Sequence, residues 1–469
     1  MRTRLQDLPG SGGAVEQKRL SEPGAVSEYD SVPLFLVSHL LAGTGSVMDA
    51  NLAAELEISP GAAIAGRARA GIEGVFSDFP WTITFRDWTG QTYTIGRGEP
   101  HWGGGRLDVT FHNADAARSV VRHDVLGLLD AFVRGDIDLD GNLYLITHVK
   151  HHGRLRLSWK QALPAMLRYR GFQDRKSASV NVKSHYDIPQ EALNIYLDQA
   201  YWSYSCGMFE DPDRLDIDEL KRVGQGESDD FDSLEKAQWR KFKDAADFIR
   251  PKEGETLLDV GCGYGGQLKV ALENQPFGKV VGWTHSSNQV REGQQLLADH
   301  PGERWELREG DYREDDRVFD HITSTGMISH VGPRGLVPYV RQVRRRIKTG
   351  GRYMHHALMR AESEIPHDAD VGLVFNKKYV WPGFHWFPVE KHVTAITKNG
   401  FQLLGLKNLS AHYAKTTVAW YERMMAREDE MVAYVGQPTF RAWQVFLGGV
   451  VQGFLNKTIH VYRIYCEAT

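Results

Sequence analysis

No stretch of this chain is long and apolar enough to cross a bilayer. A spanning helix takes about 20 consecutive apolar residues, and the longest candidates, such as Val445–Val451, fall far short. The opening stretch, MRTRLQDLPGSGGAVEQKRL, lacks the apolar core of a secretory leader. Cysteine is scarce as well. Cys206, Cys262 and Cys466 are three in all, so they cannot all pair, and none sits at CxxC or zinc-ligand spacing. A reduced, cytoplasmic compartment is therefore expected, with no metal site. Strong charge of one sign is missing too. The formal net charge is −4 over 469 residues, so nothing global advertises nucleic acid. If lipid is involved, the protein must reach it peripherally, from the membrane surface.

What is present is a globular composition, 42% hydrophobic and 25% charged, at a length that suggests two domains. Residues 1–30 are polar, with Gly, Ser and Pro, and read as disordered or loosely attached. Residues 31–150 read as a small α+β accessory unit, a candidate lipid-binding domain. Val32–Leu41 is a short apolar helix candidate. Trp81–Arg86, Gln91–Ile95 and Leu107–Phe111 alternate like strands, and Ala116–Val133 has helical spacing. Residues 151–183, with Lys150 at their edge, form a basic linker. Lys150 through Lys183 hold nine Lys or Arg against one acid, Asp174, interleaved with Trp159, Leu163, Met166 and Tyr169. Such a segment suits an anionic membrane surface, cations in the headgroups and apolar groups below; a solvated connector is the other reading.

Residues 184–469 alternate strand and helix. Thr256–Val260, Lys279–Thr284, Phe319–Ser324 and Gly351–Leu358 read as strands; helices open near Leu268, Asn288 and Leu336. The pattern predicts a Rossmann-like α/β domain, doubly wound around a mostly parallel sheet. Asp259-Val-Gly-Cys-Gly-Tyr-Gly-Gly266 joins the first strand to its helix. The spacing is DxGxGxG rather than the GxGxxG of dinucleotide sites, and no P-loop lysine follows. This favours S-adenosylmethionine, and the loop resembles the first motif of class I methyltransferases. The second strand runs Val281-Gly-Trp-Thr-His-Ser-Ser-Asn-Gln289 and lacks the terminal acid that would hold a ribose.

Further segments carry a more specific resemblance. They are His185-Tyr-Asp187, Leu197-Asp198, Tyr204-Ser-Cys206 with Phe209, Leu234-Glu-Lys-Ala-Gln238, the Thr284, Ser286, Gln289 set, Gly326-Met-Ile-Ser-His-Val-Gly332, Lys378-Tyr-Val-Trp-Pro-Gly383, His412-Tyr413 with Thr416 and Trp420, and Trp443-Gln444. In order and spacing they resemble cyclopropane-fatty-acyl-phospholipid synthases and mycolic acid cyclopropane synthases, from roughly Val182 to Phe454. The resemblance implies transfer of a methyl group from S-adenosylmethionine to a cis alkene in an unsaturated phospholipid acyl chain. It implies cofactor contacts at Tyr204, Ser205, Asp259, Gly261, Gly263, Thr284, His285, Gln289, Asp311, Tyr312 and Thr325. It also implies a bound bicarbonate that serves proton removal, with ligands at Cys206, Ser329, His356, Leu358 (through its backbone) and Tyr413.

One position departs from the family. Ser329 stands where the family has Glu, so a short neutral hydroxyl replaces a charged acceptor. The bicarbonate is then held differently, another group is the base, or the product is a methylated or methylene-branched chain instead of a ring. A soluble alkene-bearing substrate and a decayed, lipid-binding relative are the alternatives to a lipid enzyme, and a homodimer is allowed. Trp381, Phe384, Trp386 and Phe387 form a dense aromatic group that reads as an acyl-tunnel wall, a membrane-contacting lip or ordinary core.

The basic linker makes the first expectation. Replacing Lys160, Arg168 and Arg170 with Gln should weaken binding to anionic liposomes by roughly 1 kcal/mol per charge, less at high salt. Co-sedimentation checks it; wild type with no preference for anionic over neutral liposomes would reduce the segment to a connector.

Overall fold

The computed structural model describes residues 60–148, 188–225, 232–361, 371–381 and 384–469. Val32–Leu41, the polar first 30 residues and the basic linker lie outside them. The first described elements are α1 (Pro60–Val75), β1 (Thr82–Arg86), β2 (Thr92–Ile95), β3 (Arg106–Phe111), α2 (Ala114–Arg134), β4 (Ile137–Gly141) and the short α3 (Tyr144–Thr147). The strands form a sheet in the order β2-β1-β3-β4, with β1 and β3 parallel and the outer pairs antiparallel. Their alternation buries Ile83, Phe85, Leu107 and Val109 completely, as period-2 patterning demands. Asn113 caps α2 by accepting from the Ala116 N–H at 2.8 Å, and Gly135 ends it in the left-handed region. The three expected strands and the helix are present. α1 and β4 were not anticipated: the IDLDG of β4 carries too few apolar residues to signal a strand.

The chain then forms α4 (Gln190–Tyr196), α5 (Ile217–Gln225), α6 (Leu234–Ile249), β5 (Thr256–Val260), α7 (Gly266–Asn274), β6 (Lys279–Thr284), α8 (Ser287–Leu296), β7 (Trp305–Glu309), β8 (His321–Thr325), α9 (Leu336–Arg346) and β9 (Arg352–Arg360). After these come α10 (Val371–Tyr379), α11 (Val389–Thr397), β10 (Phe401–Asn408), α12 (Ser410–Ala426), α13 (Glu428–Val435), α14 (Gln437–Leu455) and β11 (Ile459–Ala468). The large sheet has the order β10-β11-β9-β8-β5-β6-β7. Strands β5 to β9 are mutually parallel, and β11 slots in antiparallel between β9 and β10. The expected doubly wound, mostly parallel sheet is what forms. Some boundaries moved: the strand expected from Phe319 starts at His321, with Phe319 making an isolated bridge to Ile347, and the strand expected to end at Leu358 runs on to Arg360.

The order reverses between β5 and β8, so their carboxyl ends open the crevice where such sheets bind ligands. One sheet face is apolar, with Leu258, Val260, Ile322, Tyr353, Ala357 and Ile464 packed against α9 and α11. The other face lies under α6 and carries Asp259, Thr323, His356 and Arg463, all buried. A further core unites the small sheet with α12 and α14, running from Ile72 and Phe85 to Trp420 and Trp443.

Arg441 fastens these parts. Its Nη1 donates to Phe132 O and Ile137 O, both at 3.0 Å, and its Nη2 meets Asp138 at 2.6 Å. Its guanidinium also sits 5.0 Å from the Phe132 ring centre. Arg441→Ala strips acceptors of their donor and is expected to cost about 2 kcal/mol, read as a lower urea midpoint; an unchanged midpoint would contradict the fastening role.

Candidate active site

The glycine loop ends β5 at the crevice. Gly261 and Cys262 both donate their N–H to Trp283 O, at 3.1 and 3.0 Å, which pins the loop to β6. Gly261, Gly263 and Gly265 have φ of 76°, 56° and 86°, a region that favours glycine. At Gly261 a Cβ would lie 2.7 Å from Met327 Cβ, and at Gly266 2.7 Å from Phe242, so there the loop is packed tight. At Gly263 a Cβ would meet nothing within 4 Å. Of the loop's glycines, only Gly263 has open space at its Cβ position, as a cradle for a ligand requires.

Around it stand the other expected cofactor residues. Thr284 ends β6, its Oγ1 donating to Gln289 Oε1 at 2.5 Å, and Ser286 caps α8 by accepting from the Gln289 N–H. Asp311 follows β7 and caps the turn Tyr312–Glu314. Burial would raise its carboxyl, but hydrogen bonds from Arg313 outweigh this and hold it below the usual range. His285 lies close enough to Asp311 to add to that stabilisation. Thr325 ends β8 opposite His356. Asp259 does not face solvent. It accepts from Thr323 Oγ1 at 2.8 Å, and burial pushes its carboxyl up to about 7, against the pull of Thr323 and Lys241. Its place is in the support of the loop.

Tyr204 and Ser205 precede Cys206 in a segment organised by Asp198. That carboxylate, fully buried, accepts from the Tyr201 N–H at 2.6 Å and the Ser203 N–H at 2.7 Å. Lys241 of α6 reaches the same segment, donating to Ser205 Oγ at 2.8 Å, Gln238 Oε1 at 2.6 Å and Ser203 Oγ. Burial holds its ammonium well below the usual lysine range, while Asp198 pulls the other way. Lys241 was not anticipated. The signal existed: Leu234, Gln238, Lys241, Ala245 and Ile249 share one helical stripe, and a lysine within it is a buried cation in waiting.

The expected anion ligands lie on segments linked through a chain of mostly backbone contacts. Cys206 Sγ lies 3.7 Å from Leu409 O, and Tyr413 N donates to that same oxygen at 3.0 Å. The Leu409 N–H bonds Val461 O, and Val461 pairs with Leu358. His356 O accepts from Gly326 N at 2.9 Å, which sets the turn Met327–His330 and hence Ser329 beside β9. Burial pushes the Cys206 thiol up to about 12, despite Lys241 and Arg463, so it stays a neutral thiol rather than a nucleophile. Burial, then Arg463, then Lys241 hold His356 neutral. His356 Nδ1 and Ser329 Oγ are buried without hydrogen-bond partners. These atoms fit a small hydrogen-bonding guest such as bicarbonate. His355, by contrast, is tied to Tyr353 and His392 on the opposite face and serves the core.

Aromatic rings pack around Tyr204 and Tyr413. Tyr204 stacks on Trp420 at 5.1 Å, and Tyr413 meets Trp420 edge-on at 5.9 Å and Phe454 at 5.1 Å. Trp381 is partly buried and touches Tyr204 and Phe446. Phe384, Trp386 and Phe387 are buried core, which removes them from any membrane lip. Among the described residues no helix can cross a membrane, and no metal-binding group of side chains occurs. All three cysteines are free and buried.

Gly263→Val would fill the one open side of the loop in a disfavoured backbone region. It is expected to weaken S-adenosylhomocysteine binding by calorimetry at least about 100-fold, some 2.7 kcal/mol. A folded variant of unchanged affinity would remove the cofactor from this loop.

Three comparisons agree with this geometry. The family described as mycolic acid cyclopropane synthetase matches residues 173–464. A cyclopropane-fatty-acyl-phospholipid synthase of Escherichia coli K12 is 26% identical over 366 residues, 77% of this chain and 88% of that protein. A probable fatty acid methyltransferase of Pseudomonas putida is 28% identical over 295 residues, 62% of this chain and 70% of that one. Among solved structures, a mycolic acid cyclopropane synthase complexed with SAH and CTAB superposes with a TM-score of 0.54 at 25% identity, covering 62% of this chain and 98% of that one. With its glycine cradle, reversed strand order and matched profile, the chain belongs to the mycolic acid cyclopropane synthetase family and has the class I S-adenosylmethionine-dependent methyltransferase fold.

Proposed function

We propose that this protein methylates the double bond of an unsaturated phospholipid acyl chain, working peripherally at an anionic membrane surface. The observation that carries the reading is the pair of buried, unpartnered polar atoms His356 Nδ1 and Ser329 Oγ, on elements joined by the Gly326–His356 hydrogen bond, together with a glycine loop that is open at Gly263. Bound in that cradle, S-adenosylmethionine supplies an electrophilic methyl group. An alkene is a weak nucleophile, so the chain must be held in line with that methyl and kept from water. The rings of Tyr204, Tyr413 and Trp420 offer dispersion contact to an acyl chain and π faces to the cation that forms on it. Cation and departing proton then fix the product. Proton loss from the added methyl with ring closure gives a cyclopropane; loss from a neighbouring chain carbon gives a methylated alkene; a 1,2-hydride shift onto the cation followed by proton loss from the methyl gives a methylene branch. His356, neutral by burial, is suited to hydrogen-bonding a proton acceptor in the site.

Ser329 weighs on that choice. Without the family's carboxylate, cation stabilisation and proton removal depend more on the Tyr413 hydroxyl, His356 and any ion they retain. Tyr413→Phe is therefore expected to cost at least about tenfold more activity than Ser329→Ala, about 1.4 kcal/mol, in turnover on phospholipid vesicles. Ser329→Glu should shift the products toward cyclopropane. An inactive Ser329→Ala beside a fully active Tyr413→Phe would reverse the roles. Wild type that makes cyclopropane alone and needs added bicarbonate would show that the site works unaided without the glutamate.

A further inference from the structure

Arg463 of β11 is fully buried, and half of its guanidinium is accounted for. Nη1 donates to Asp244 Oδ2 at 2.6 Å and to Lys241 O at 3.0 Å. Asp244 is further held by Lys407 at 3.0 Å and by Tyr465 OH at 2.6 Å. Nε and Nη2 have no hydrogen-bond partner. Those two nitrogens lie along one edge of the guanidinium, the edge that grips a planar oxyanion through two parallel N–H···O bonds. Buried donors of a cation left without acceptors are costly, so the free edge asks for an anion.

The surroundings agree. Arg463 pairs in register with His356 on the adjacent strand, so both side chains leave the same sheet face. His356 Nδ1 is itself buried and unpartnered, as is Ser329 Oγ. Arg463 is the charge that acts most strongly on His356, followed by Lys241. The acids nearby are engaged elsewhere: Asp244 on the other edge of Arg463, Asp198 on backbone N–H groups and Asp259 on Thr323. With serine at 329, the described residues supply no carboxylate to the Nε–Nη2 edge.

We propose that Arg463 is a positioning residue whose Nε–Nη2 edge, together with His356 Nδ1 and Ser329 Oγ, holds a free planar oxyanion of the bicarbonate or formate kind. This builds on the reading of His356 and Ser329 given above and adds the cation that retains the anion. It accounts for how a site that has lost a carboxylate ligand keeps its guest: the guanidinium supplies a two-point grip and a full charge in a place shielded from water.

The same carboxylate chemistry could come from the methionine end of the cofactor, so the test separates the two. Full-length protein is dialysed in sealed cells against radiolabelled bicarbonate with saturating S-adenosylhomocysteine, and S-adenosylhomocysteine affinity is measured separately by calorimetry. Arg463→Gln removes cation and fork. Arg463→Lys keeps a cation for Asp244 but removes the fork, so it guards against simple misfolding. The expected result is that both Arg463 variants bind bicarbonate at least about tenfold more weakly, with S-adenosylhomocysteine affinity near wild type. Three results would overturn the proposal: no bicarbonate retained by wild type; Arg463→Lys equal to wild type; or a loss that falls on S-adenosylhomocysteine instead. Lipid methylation is assayed on the same wild-type protein. Its absence would sink the lipid reading and leave the dialysis result standing.

Discussion

The burial of two cations beneath α6 is the constraint on which the site depends. Lys241 and Arg463 are both fully buried on the polar face of the large sheet. Charges so placed persist only when paired and hydrogen-bonded. The protein meets this with Asp244 against Arg463 and with a ring of acceptors, Ser203, Ser205 and Gln238, around Lys241, with Asp198 close by. Each partner is also a structural element of the pocket. Ser203 and Ser205 flank Tyr204, and Asp198 folds the loop that presents it. The chemistry of the pocket and the electrostatics of its floor are therefore one network.

This arrangement explains why the two faces of the sheet differ. The face under α9 and α11 is an ordinary core, and even its histidine, His355, is neutralised by hydrogen bonds to Tyr353 and His392. The face under α6 is polar along a line from Asp259 through Thr323 and His356 to Arg463. Cys206 remains a thiol and His356 neutral within that field.

Much of this was legible in the residues, and the misses have physical causes. The parallel sheet showed itself because TLLDV and KVVGWT are continuous apolar runs bounded by turn signals. The glycine loop showed itself because three of its residues need backbone angles that glycine adopts freely. The distant motifs meet as expected. Phe209 N donates to His412 Nδ1 at 3.0 Å and Gly207 N to Thr416 Oγ1 at 3.0 Å, joining segments some two hundred positions apart. Lys241 and Arg463 were missed because a charged residue in an apolar stripe is discounted when the stripe is being counted. In β11 the alternation Ile459, Val461, Arg463, Tyr465 hides an arginine on an inward-facing position. The aromatic group at 381–387 was ambiguous for the opposite reason: aromatic side chains suit a core and a membrane contact equally, and burial alone separates them.

The central claim is that the methyl group ends on carbon of an unsaturated lipid chain. Mass spectrometry of lipids from cells that express the protein and are fed methyl-labelled methionine tests it most directly. The account predicts phospholipid acyl chains heavier by one labelled carbon unit, with olefin-sensitive derivatisation dividing ring from methylated alkene. Label confined to headgroups or to soluble small molecules, with acyl chains unchanged, would contradict it.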